Sequence, residues 1–179
     1  MIGYLGWALL ALVFFWAIGA YNRVMKLRNA IGKAFAQLDE HLTRRAEICD
    51  KLCELLRPLL PAEQSTFDTL AASQAEAQQL AGEVRAKPYA ADPVASLAVA
   101  AAVHAAALAR LTSMLEHHAE LREHAALYVL QDELKLVERQ RAFTRQLFNE
   151  AVRQYNEAVR EFPTRLLTGV YGFMEARSL

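Results

Sequence analysis

The chain has 179 residues, 54% of them hydrophobic, and its 20 basic and 20 acidic side chains balance to a net charge of zero. That balance removes the electrostatic case for a nucleic-acid binder, which needs clustered Lys and Arg. With seven glycines, five prolines and two cysteines, the chain is not a collagenous, low-complexity or disulfide-built protein.

Residues 2–22 carry no ionisable side chain except Tyr4 and Tyr21. At about 1.5 Å per residue such a segment spans the roughly 30 Å hydrocarbon core of a bilayer. A cleaved signal peptide would want a basic start, a shorter apolar run and a small-residue cleavage site. This run is longer, begins without Lys or Arg, and offers only Ile18-Gly19-Ala20 as a cleavage match. A buried core helix is the other alternative, but an all-round apolar helix is hard to cover in so small a chain. The expectation is therefore an uncleaved anchor over residues 1–22. Arg23, Lys26, Arg28 and Lys33 follow it closely, so the positive-inside bias puts the N-terminus outside and the bulk in the cytoplasm.

The remainder suffices for one core and not for two. It is rich in Ala and Leu, poor in Gly and free of β-branched runs, which is a helical composition. All five prolines fall where helices should begin or end: Pro58 and Pro61, Pro88 and Pro93, and Pro163. The first helix continues from the anchor to about Leu59. Val24, Leu27, Ile31, Phe35, Leu38, Leu42, Cys49, Leu52 and Leu56 form a stripe near heptad spacing, interrupted by Arg45. Cys49 and Cys53, one turn apart on this helix, read as small core side chains rather than a disulfide or zinc pair.

A second helix is expected over residues 63–86, with Phe67, Leu70, Leu80 and Val84 inward. A third is expected over residues 94–119, where an Ala-rich stretch would let backbones approach closely and Leu97, Leu108, Leu111 and Leu115 are the larger core residues. After a break near Glu120–His124, a fourth covers residues 125–162. Short connections make neighbours antiparallel, so the expected fold is all-α: an N-terminal transmembrane helix continuous with an up-and-down four-helix bundle of two long and two shorter helices over residues 23–163.

The first helix rises from the membrane, so the fourth must return to it. Setting Asn22 beside Phe162 puts Asp39 level with Arg145 and Arg45 level with Glu138. These four form a candidate interhelical polar layer that would fix the register of the long helices. The alternative is solvated flanking charge, worth about 0–1 kcal/mol per pair. The same geometry returns residues 164–179 to the bilayer as a short apolar tail. There Leu166, Leu167, Val170, Tyr171 and Phe173 either lie on the headgroups, pack against the base of the first helix, or fray.

These residues together resemble the LemA family. The likeness runs through Tyr21-Asn22, Leu27-Arg28-Asn29, Phe35-Ala36-Gln37-Leu38-Asp39, Arg44-Arg45, Leu130-Gln131-Asp132-Glu133-Leu134, Phe148-Asn149, Tyr155-Asn156, Phe162-Pro163 and Gly172-Phe173. It departs at Phe35, where the family usually has Trp, at Ile48–Leu52, which lacks the family's helix-interior Pro, and at His118–Leu121, which replaces a Tyr-Pro-Asp-Leu-like turn. The resemblance implies a single-span protein of a bacterial-type inner membrane with a helical-bundle domain, and no established enzyme activity, cofactor or catalytic residue.

In the aromatic–Asn steps (Tyr21-Asn22, Phe148-Asn149 and Tyr155-Asn156), the ring can enter the core while the amide bonds a neighbouring helix or carbonyl, or the steps form a docking surface near the membrane. His104, His117, His118 and His124 are the only possible metal cluster, with Glu120 between the last pairs, but they lack the arrays of di-iron bundles and read as surface residues at a loop. No Gly-rich phosphate loop or nucleophile motif occurs. The expectation is no cofactor, no metal and no small-molecule substrate. Three classes remain: a non-catalytic scaffold acting by self-assembly and by binding membrane or cytoplasmic-face proteins, a membrane-organising oligomer, and a His-based metal sensor or enzyme.

Overall fold

The computed structural model describes residues 2–118, 121, 124–162 and 164–179; within these, the side chains of Ile2, Leu5, Leu167, Thr168 and Val170 are not described. The elements in chain order are α1 (Ile2–Leu56), a 3-10 turn (Pro61–Glu63), α2 (Gln64–Ala86), α3 (Ala91–His117), α4 (Ala125–Arg160) and α5 (Arg165–Tyr171). The described residues contain no strand. The protein is a four-helix bundle with a long apolar helix projecting from it.

α1 is continuous through 55 residues, about 80 Å at the standard rise. Its first part stands clear of the bundle: Tyr4, Trp7, Leu9, Leu10, Leu12, Phe14 and Phe15 are all exposed, Trp7 by 73%. Val24 is the first fully buried residue, so the core begins just beyond Asn22. Length and composition suit this projecting segment to crossing a membrane, and the same holds for α3. In α3, however, Val94, Leu97, Ala100, His104, Ala107, Leu108, Leu111 and Leu115 recur at helical spacing and are buried in the bundle.

The ends follow proline chemistry. α1 stops just before Pro58, and Arg57 closes the tip by donating to Gln64 Oε1 at 2.9 Å and to Asp68 Oδ1 at 2.8 Å. Pro61 opens the 3-10 turn, where its missing N–H costs nothing. α3 begins at Ala91, ahead of the expected start at residue 94, because a proline in the first helical turn removes only an N–H that has no intrahelical partner. The break between α3 and α4 lies largely outside the described residues.

The long pair α1–α4 and the short pair α2–α3 pack tightly, and α1 also meets α2. α3 and α4 approach each other less closely than these pairs do. Between them runs a groove of about 740 Å³ lined by Leu108, Leu111 and Leu115 on one side and Leu134 on the other.

The core divides in two along the bundle axis. The distal part contains Ile48, Leu52, Leu56, Phe67, Leu70, Leu111, Leu127 and Val137. The proximal part contains Val24, Ile31, Phe35, Leu38, Val84, Leu97, Phe148, Val152 and Tyr155. Phe35 and Phe148 meet edge to face with ring centres 5.8 Å apart. Burying each such ring contributes about 1.5–3 kcal/mol.

Candidate functional site

Polar residues occupy the bundle where the two apolar cores meet. The apolar stripe of α1 is interrupted at Arg45, which is only 3% exposed. It donates to Glu138 Oε1 of α4 at 3.4 Å. Arg141, one turn further along α4, grips the same carboxylate through Nε and Nη2, the shorter bond being 2.8 Å. Burial pulls the Arg45 guanidinium below its ordinary range, Arg141 pushes the same way, and Glu138 opposes both. Burial also disfavours the ionised form of Glu138, but hydrogen bonds and charge from Arg141, then Arg45, outweigh it and hold the carboxyl below the usual range.

The belt continues across α2 and α3. His104 is 1% exposed and its Nδ1 lies 3.2 Å from Ser73 Oγ. Ser73 Oγ also donates to the Leu70 carbonyl, and Gln74 donates to Asp50 at 2.7 Å. His104 Nε2 is buried without a hydrogen-bond partner. Burial, reinforced by Arg45, lowers its pKa to about 4, so the ring is neutral. A cavity of about 20 Å³, room for about one water, adjoins His104, Arg45 and Gln74. One turn along α1 from Arg45, burial raises the Cys49 thiol to about 12, leaving it un-ionised and unreactive at neutral pH.

The candidate polar layer is thus realised in part and corrected in part. Arg45 and Glu138 are bonded across the long pair. Asp39 does not pair with Arg145; it accepts from Arg85 of α2, with Nη2 at 3.0 Å. Equal height on antiparallel helices does not fix direction: each residue turns by about 100°, and Asp39 faces α2. Arg145 is exposed and borders a shallow pocket with Arg141 and Leu179.

A second polar constellation lies at the proximal end. Gly172, at φ +65°, turns the chain back, and residues 173–179 run antiparallel to α4. The Tyr155 hydroxyl donates to the Met174 carbonyl at 3.0 Å. Asn156 Nδ2 donates to the Ala176 carbonyl at 2.8 Å, and the Ala176 N–H donates to Asn156 Oδ1 at 2.8 Å. Asn149 treats Leu179 in the same way, at 2.8 and 2.9 Å. Phe148 and Tyr155 enter the core beside these amides. The first aromatic–Asn step differs: Tyr21 stacks with Tyr171 and Phe173, at 5.1 and 5.9 Å between ring centres, while Asn22 is exposed.

The apolar tail is therefore two things. Phe173 packs against the proximal core rather than facing outward. Leu166 is 64% exposed and Tyr171 47% exposed, beside the root of the projecting helix. The side chains of Leu167 and Val170, also in the expected membrane-facing group, lie outside the described residues. Tyr171 and Phe173 pack against Tyr21 at the base of the bundle part of α1, and the amides of α4 capture the backbone after Gly172.

The histidine reading needs a similar correction. His104 is a core residue, and His117 Nδ1 is bonded to the Ser113 carbonyl at 2.7 Å. Glu120 lies outside the described residues. No group of three potential metal-binding side chains occurs among those described. Sequence reasoning overlooked Arg85, Arg141, Ser73 and the backbone of Ala176 and Leu179. Only the Glu138–Arg141 spacing and the heptad-spaced Asn residues carried a signal for any of them.

The family model described as the LemA family matches residues 34–179, taking in the polar belt, both α4 asparagines and the returning segment. No curated protein matches the chain.

Proposed function

We propose, on the premise that this chain belongs to the LemA family, that it is a membrane-anchored, non-catalytic scaffold at the inner membrane surface, acting by self-assembly and partner binding. The observation that carries this reading is the continuity of α1. One unbroken helix bears large apolar side chains exposed on its first part and core residues on its second. Such a surface in water is costly, at about 25 cal/mol per Å² of apolar area, and a bilayer removes that cost. The bundle is then held upright beside the membrane.

Support for self-assembly comes from the outer face of α4. Val129, Leu136 and Phe143 follow one another at heptad steps, with Leu147 one turn on, and are 55%, 48%, 60% and 39% exposed. This is a coiled-coil-like seam left exposed by the described residues of the chain. The polar belt, by contrast, is largely buried and, His104 Nε2 apart, bonded internally, which suits a register-fixing role better than chemistry.

Oxidative crosslinking tests the reading. In membranes, Leu136→Cys and Phe143→Cys chains carrying Cys53→Ser should form covalent dimers well above a Ser65→Cys control. Dimer yields equal to the control would overturn self-assembly through this seam.

A second reading, a membrane-organising oligomer, is favoured by the placement of α5. Arg23 is 3.3 Å from Glu161, and Tyr21 stacks on Tyr171, so α5 sits level with the end of the apolar segment. Exposed Phe162 and Leu166 at that height suit insertion among headgroups. Loss of vesicle deformation by the reconstituted chain on Phe162→Ser and Leu166→Ser substitution would favour it; unchanged vesicles with and without protein would dispose of it.

A further inference from the structure

Tyr155, Asn156 and Asn149 of α4 hold residues 173–179 by hydrogen bonds to main-chain atoms, and Arg160 adds a side-chain pair with Glu175. Three residues of extended chain rise about 10 Å, and seven residues of α-helix rise about 10.5 Å. Asparagines one heptad apart on α4 therefore meet residues three apart on an extended segment. Each amide satisfies both the N–H and the carbonyl of one residue, as a neighbouring β-strand would. Side-chain selection is confined to few positions. Ala176, 7% exposed, packs its methyl group into the proximal core, Glu175 pairs with Arg160, and Phe173 and Leu179 rest on the same core. Met174 and Arg177 point outward.

We propose that this groove is a docking site for an extended aromatic-x-acidic-small-x-x-Leu segment, and that its occupant in trans is the same segment of a second copy, exchanged for the chain's own. Nothing in the recognition requires the segment to be joined to the helix that holds it. The hinge is Gly172, whose left-handed φ suits glycine and whose Cβ position is open on all sides. Chains anchored in one bilayer hold their grooves at one height, so a donated segment arrives in register and at high effective concentration. This inference rests on the self-assembly reading and supplies it with a reversible link, in the manner of a segment swap.

Complementation between two full-length variants tests it. Asn149→Ala/Asn156→Ala keeps the segment and loses the ladder; Ala176→Glu keeps the ladder and expels its own segment with a buried carboxylate. With different affinity tags in one membrane, the mixed pair should co-purify about tenfold above either variant with itself. No enrichment of the mixed pair would overturn the proposal. If seam crosslinking through Phe143→Cys persists in that case, self-assembly stands and only segment exchange falls.

A milder pair guards against variants that fail to fold. Ser178 and Gln146 are exposed and line one groove. Chains carrying Ser178→Cys and chains carrying Gln146→Cys, mixed in one membrane, should form the hetero-disulfide well above a Ser65→Cys pairing with either. Equal yields would also overturn the exchange.

Discussion

Arg45 on α1 and Glu138 on α4 form an ion pair with one member 3% exposed and the other about a third exposed. The asymmetry decides which substitution is worse. Glu138→Ala strands a buried guanidinium and should cost about 3–5 kcal/mol, whereas Arg45→Met, which leaves Glu138 bonded to Arg141, should cost under about 2 kcal/mol. Urea unfolding of the full chain in detergent micelles measures both. Equal losses would mean the pair is not the element that divides the core.

Acid sensitivity should centre on His104. Its pKa is about 4 folded and ordinary unfolded, so between about pH 6.5 and 4 the unfolded chain takes up a proton that the folded chain refuses. Stability therefore falls as pH falls through that window, by up to about 3 kcal/mol from this group. The groups facing the ring are Ser73, Arg45, Glu138 and Arg141. Glu138, held ionised in the fold, adds loss in the same direction at the acid end. Melting temperatures of His104→Gln should be flatter than the parent's from pH 6.5 to 5. A parallel pH profile would contradict the assignment.

Asp39 and Arg85 should show a small coupling, about 0.2–1 kcal/mol in a double-mutant cycle, because the half-exposed Arg85 side of the pair is open to solvent screening. The cycle between Asp39 and Arg145 should read about zero. A sizeable Asp39–Arg145 coupling would restore the layer expected from helix alignment.

Gly172→Val should strain the left-handed turn by about 1–2 kcal/mol and release the segment that follows. The Ala176 and Leu179 amides donate to Asn156 and Asn149, so their hydrogen exchange should be slow in the parent and should accelerate in this variant and in Asn156→Ala. Unchanged protection would show that the turn does not govern docking.

Much of this architecture was legible in the residues, because proline positions and helical spacing of apolar side chains are local signals. The Arg45–Glu138 contact followed from helix lengths and antiparallel connection. Asp39 was misdirected because alignment gives height along an axis and not azimuth around it. His104 sits among alanines, and its bonding partner Ser73 is on another helix, so nothing nearby marked it as buried. The capture of Ala176 and Leu179 was hidden for a different reason: main-chain groups have no sequence signature. Apolar residues after Pro163 suggested lipid, while the heptad-spaced Asn149 and Asn156 were the only trace of what holds the segment.

Height above the bilayer tests the central claim most directly. In nanodiscs, full chains labelled at Gly169→Cys or Ala62→Cys, in a Cys53→Ser background, can be ranged by energy transfer to headgroup acceptors. The account predicts the label at 169 in the headgroup layer and the label at 62 about 50 Å above it, the length of the bundle part of α1. Equal heights for the two labels, or no transfer from either, would contradict a bundle carried upright on a membrane-spanning helix.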